Sequence, residues 1–88
     1  MRLDKFLKVS RILKRRSVAK ELIDNDRVFV NEKKAKPSSF ITVGDIIRIR
    51  FGLNEITVRV LEVRDFTKKN ESTSLYEIIG EKRLENND

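Results

Sequence analysis

The stretch "SVAKELIDNDRVFVN", residues 17–31, contains a change of period. In its first half Val18, Ala19, Leu22 and Ile23 recur at spacings of three and four, which gathers them on one side of a 3.6-residue helix. Ser17 stands where an N-cap hydroxyl could accept a hydrogen bond from the exposed amides of the first turn. Asn25 and Asp26 mark the stop. From Arg27 the period becomes two, and "RVFVN" (27–31) reads as a short strand.

Working toward the N-terminus, residues 2–11 make a second helical pattern. Leu3, Phe6, Leu7 and Ser10 fall on one side of the wheel, with Val9 near its edge. Asp4, Lys5, Lys8 and Arg11 fall on the other. The apolar stripe packs inward and the basic stripe faces out. Ile12 and Leu13 break the pattern and predict a turn that tucks two aliphatics under the helix. Toward the C-terminus, "NEKKAK" (31–36) reads as a polar turn and "SFITV" (39–43) as a strand beginning after Pro37. "IIRIRFG" (46–52), "EITVRVLEV" (55–63) and "SLYEII" (74–79) are further strands, and "TKKNEST" (67–73) is a hairpin loop. The expectation is an α+β fold of two N-terminal helices packed on a small, mostly antiparallel sheet. It forms one domain over residues 1–80, with a charged, frayed tail at 81–88.

Composition narrows the function. The 88 residues are 39% apolar and 39% charged, with no cysteine and no histidine. A thiol nucleophile, a thiolate metal site and the usual neutral-pH general base are therefore all missing. The glycines at 44, 52 and 80 are isolated, so no phosphate-cradling glycine loop occurs. No catalytic residue, metal site or cofactor is expected. No apolar run spans a bilayer and "MRLDKFLKVS" is no signal peptide, so a cytoplasmic protein without a membrane partner is expected.

The net charge of +6 is unevenly spread. Residues 1–20 carry eight Lys/Arg against one acid, a net of +7, whereas the remaining twelve cations face thirteen acids, a net of −1. Such local excess points to a polyanion. Lys5, Lys8 and Arg11 follow one helical stripe, and Lys14, Arg15 and Arg16 carry it round to the start of the second helix. Arg15 and Arg16 are unfavourable beside a helix N-terminus, and a bound anion would offset that cost. Lys33, Lys34 and Lys36 are expected to add a second lobe. Phe6, Phe29, Phe40, Phe51 and Tyr76 fall in the apolar phase of helix or strand, leaving Phe66 as the one exposed platform. That balance favours folded RNA, read by shape and backbone, over a stacked single strand.

The run from Arg2 to Ile49 resembles the ribosomal protein S-4-type RNA-binding domain. The resemblance rests on Arg2-Leu3-Asp4-Lys5, on Ser17-Val18-Ala19-Lys20-Glu21-Leu22-Ile23, on Arg27-Val28-Phe29-Val30-Asn31 and on Val43-Gly44-Asp45-Ile46-Ile47. It spans about residues 1–51. Two turn positions depart from the pattern, because Asp26 and Glu32 stand where the family usually has glycine. The remaining strands are similar to those of small, free-standing ribosome quality-control factors of this family. Its heat-shock members usually carry a longer basic C-terminal extension where this chain ends "EKRLENND" (81–88).

The resemblance implies binding to large-subunit rRNA and to tRNA on large ribosomal subunits with an obstructed nascent chain, in support of a partner protein that adds alanine tails. A general structured-RNA-binding role is the alternative, and a monomer is the default. By motif position Arg2, Asp4 and Arg16 are central to RNA binding, with Lys5, Lys8, Arg11, Ser17 and Lys20 beside them. Asp4 either fixes an arginine by a salt bridge or accepts a bond from a ribose or base.

Overall fold

The computed structural model describes residues 1–83. Two short helices, α1 (Leu3–Val9) and α2 (Arg16–Asp24), precede five strands: β1 (Val28–Val30), β2 (Lys33–Lys34), β3 (Ile46–Phe51), β4 (Asn54–Val60) and β5 (Tyr76–Arg83). The strands form one antiparallel sheet in the order β2-β1-β3-β4-β5. A single 3-10 turn, Ser72–Leu75, leads into β5. The two-helix, antiparallel-sheet arrangement expected from the change of period is present.

Register carries the alternation into three dimensions. Val28 faces Ile49, Val30 faces Ile47, and Ile47 faces Val58. Ile47, Ile49, Val58 and Val60 are thereby buried on one sheet face. Leu3, Phe6 and Leu7 of α1 and Ala19 and Ile23 of α2 close over them in one hydrophobic cluster. A domain this small has little apolar area to spare. Phe6 and Leu7, fully buried, are central to it.

Chain reversals explain how two turns work without glycine. After α2, Asn25 is the C-cap and Asp26 takes φ +59°. The Arg27 N–H donates to the Leu22 carbonyl at 3.0 Å and the Asp26 N–H to the Ile23 carbonyl at 3.1 Å, the paired bonds of a Schellman stop. Asn31 (φ +50°) and Glu32 (φ +71°) then turn β1 into β2. Both positions usually filled by glycine in the family keep a left-handed backbone here with an acidic residue in place.

Four expectations need correction. Helix α2 begins at Arg16 with Arg15 as N-cap, and Ser17 makes no capping bond. Residues 33–34 are strand rather than turn, because the left-handed pair at Asn31-Glu32 closes the hairpin early. The 39–43 stretch adds no strand to the sheet: its backbone is spent on the start of α1. Leu3 N–H donates to the Ser39 carbonyl and Ile41 N–H to the Met1 carbonyl, both at 2.8 Å, and only an Arg2–Phe40 bridge remains. That pairing turns Ile41 inward and leaves Phe40, expected in the core, 77% exposed. Finally, β5 runs on to Arg83, paired with Asn54, so residues 81–83 belong to the sheet. The rest of the expected tail, 84–88, lies outside the described residues.

Candidate nucleic-acid interface

Asp4 lies one residue inside α1 and is fully buried, contrary to its place on the basic stripe of the wheel. Its partners explain the difference. Arg2 Nε donates to Oδ1 and Arg2 Nη2 to Oδ2, each at 3.2 Å. Arg16 Nη2 lies 3.3 Å from Oδ1, and Arg16 Nε lies 3.2 Å from Oδ2. The Lys5 N–H completes the set at 2.8 Å. Burial alone would push this carboxyl up. Hydrogen bonds from Arg16, Arg2 and the Lys5 amide, with the Arg16 charge, outweigh that and hold it below its ordinary 3.8.

The two guanidiniums keep their outer edges in solvent, with side chains 50% and 45% exposed. One buried carboxylate thus orients two arginines where the N-terminal ends of α1 and α2 meet. It also supplies an anion to the helix start that Arg15 and Arg16 disfavour. An Arg held on one edge still has donors on the other, and its fork matches a phosphate.

The other expected residues divide into groups. Lys36 sits beside this seat, because the turn it opens delivers the Pro37 and Ser39 carbonyls to the first amides of α1. Arg15, Ser17 and Lys20 are exposed on or beside the start of α2. Lys5 reaches Asp65 at 3.1 Å, while Lys8, Arg11 and Lys14 gather at the other end of α1 around a cleft that includes Phe66. Lys33 and Lys34 are not drawn to the Arg16 end. Lys34 pairs with Asp26 at 3.5 Å, past the far end of α2 and roughly 13 Å of helix away. The single expected second lobe is therefore split between Lys36 and the β2 edge.

A further charged cluster was not foreseen as a unit. On the outer sheet face Arg48 Nη1 and Arg50 Nε reach Glu55 Oε1 at 3.1 and 3.3 Å, and Lys82 Nζ reaches its other oxygen at 3.5 Å. The Arg48 guanidinium also lies 4.5 Å above the Phe29 ring. Glu55 is 4% exposed; burial would raise its carboxyl, but Arg50, Arg48 and Lys82 hold it below its ordinary 4.5. The Ile-Arg alternation of β3 was the sequence signal for this face, while the pairing with β4 and β5 needed the register.

The fold is that of a small α+β module that carries the paired-arginine seat on its surface. Residues 1–47 match the S4 domain, and the chain belongs to the S4 domain family. Over 87 residues it is 54% identical to the RQC P-site tRNA stabilizing factor of Streptococcus pneumoniae, covering 99% of each chain. It is 50% identical over 84 residues to the Bacillus subtilis protein of the same name, covering 96% of this chain and 98% of that one. The trimeric structure of Vibrio cholerae heat shock protein 15 superposes with a TM-score of 0.82 at 33% identity, covering 89% of this chain and 80% of the other. These two factors are thus matched over nearly their whole length and at higher identity than the heat-shock relative.

Proposed function

We propose that this chain is a non-enzymatic RNA-binding factor of ribosome-associated quality control. It seats on large-subunit rRNA and on P-site tRNA of obstructed large subunits, in the cytoplasm and as a monomer. There it supports the addition of an alanine tail by a partner protein. The observation that carries this reading is the Arg2–Asp4–Arg16 seat, two half-exposed guanidiniums fixed by one buried carboxylate. The end-to-end likeness to P-site tRNA stabilizing factors supports the choice of ribosomal RNA and tRNA as the polyanion. In the alternative, general binding to structured RNA, the fold likeness to heat shock protein 15 would be the better guide.

The test is a reconstituted tailing reaction on obstructed large subunits with the partner protein and charged tRNA. Adding this chain is expected to lengthen the alanine tails, and omitting it to shorten them. Bound chain with unchanged tails would overturn the tailing role and favour the general one.

A further inference from the structure

Phe66 is 79% exposed, although the chain has only six aromatic residues to build a thin core. An isolated exposed Phe needs no explanation in a large protein. Here its neighbours hold it in place. On one side Asp65 pairs with Lys5 at 3.1 Å. On the other, Thr67 Oγ1 donates to the Val9 carbonyl at 2.8 Å and the Thr67 carbonyl accepts from Arg11 Nη2 at 3.5 Å. These contacts pin the 65–67 loop to α1 and set the Phe66 ring at the wall of a cleft whose other lining includes Lys8, Arg11, Lys14 and the aliphatic Leu13.

The cleft wall carries three cations and no acid. Among the described residues neither Lys8 nor Lys14 has an ion-pair partner. Arg11 adds a second oddity. It holds φ +61° just beyond the C-cap of α1, a conformation that favours glycine, and there it keeps a cationic side chain over the cleft. The helix C-terminus would welcome these cations by itself. It gives no account of an exposed aromatic ring pinned among them.

The geometry points to a nucleotide subsite of the bound RNA, between the end of α1 and the Phe66 loop. An unpaired base stacks on the Phe66 ring, and its flanking phosphates meet Lys8, Arg11 and Lys14. A ring offers any base a π-face, and the cations hold the backbone beside it. The subsite lies partly outside residues 1–47, the part matched to the S4 domain, and adds an aromatic contact to the paired-arginine seat. It rests on the RNA-binding reading above.

The full chain has no tryptophan, so Phe66→Trp introduces a single indole reporter. The probe is protein-free large-subunit rRNA, which adds no indole of its own. The indole fluorescence is expected to be quenched as rRNA is added, with affinity kept near that of the unsubstituted chain. Phe66→Ala is expected to weaken binding about 5- to 150-fold with the salt slope unchanged. Lys8→Ala and Lys14→Ala are expected to reduce that slope. Since the ring is exposed, the melting temperature of Phe66→Ala should stay put. Arg11→Gly is expected to melt higher yet bind more weakly. Unquenched indole and unchanged affinity in Phe66→Ala, alongside weakened binding by Arg16→Ala, would overturn the subsite and leave the RNA-binding reading intact. Failure of the unsubstituted chain to bind rRNA would overturn both.

Discussion

Replacing Arg16 removes two things at once, a half-exposed guanidinium from the surface and a partner from a buried carboxylate. Arg16→Ala is therefore expected to weaken RNA binding and also to destabilise the fold by about 1–3 kcal/mol. The figure is below that for a fully enclosed pair because Arg2 remains and the Arg16 side chain is 45% exposed. Arg16→Lys separates the effects: charge stays, the two-pronged geometry goes, and binding should fall by about 1–3 kcal/mol with a smaller loss of stability. Isothermal titration beside thermal melts of both variants distinguishes them. Asp4 and Glu55 make stability pH-dependent. Both carboxyls are depressed in the fold, so their contribution is present above their ordinary values and is lost as pH falls through the depressed ones. Melting temperature should hold down to about 4.5 and drop below 3.8. Asp4→Asn should flatten part of that drop. An unchanged acid limb in the variant would mean that Asp4 does not carry the dependence.

Among the elements, the β1–β2 hairpin shows how a family turn survives without its glycine. Asn31-Glu32 adopts two successive left-handed residues, a geometry for which Asn-Gly is the preferred pair. Glu32→Gly is expected to raise stability by about 0.5–1 kcal/mol, as relief of backbone strain outweighs loss of the exposed Glu32–Arg48 contact. Chemical denaturation measures it, and a loss would show that the ion pair matters more than the strain. The elements also show what periodicity can reveal. Both helices and the β1, β3 and β4 strands were legible, because Leu3, Phe6, Leu7 and the Ile47/Ile49 alternation each commit one face to the core. The wheel misplaced Asp4, since it treats a carboxylate as solvent-seeking and has no knowledge of Arg2 and Arg16 closing over it. Phe40 was misread for a related reason: its backbone serves the start of α1, and that pairing, rather than hydropathy, decides which way the ring points. Ser17 was a good cap residue at the wrong turn.

For the molecule as a whole, charge sorts by chain segment, +7 in the first twenty residues and −1 in the rest. The fold keeps that separation only in part. Arg2 and Arg16 meet at one end of α1, Lys8, Arg11 and Lys14 gather at the other, and Lys34 is tied to Asp26 beyond α2. The family and the basic α1–α2 region were legible from motif spacing. The split of the expected second lobe was not, because it depends on where a hairpin edge falls in space. If five or six cations meet phosphates, log affinity should fall with log salt with a slope of about −4 to −5. A slope near zero would mean that the basic surface does not face the RNA backbone.

The measurement to make first is co-sedimentation of the tagged chain with ribosomal particles at two salt concentrations, beside Arg16→Lys and with melts of both proteins in parallel. The expected result is association with free large subunits that weakens with salt and is reduced in Arg16→Lys while its fold persists. Association with small subunits instead, or equal binding by a folded Arg16→Lys, would contradict the paired-arginine seat as the surface that holds this protein on the ribosome.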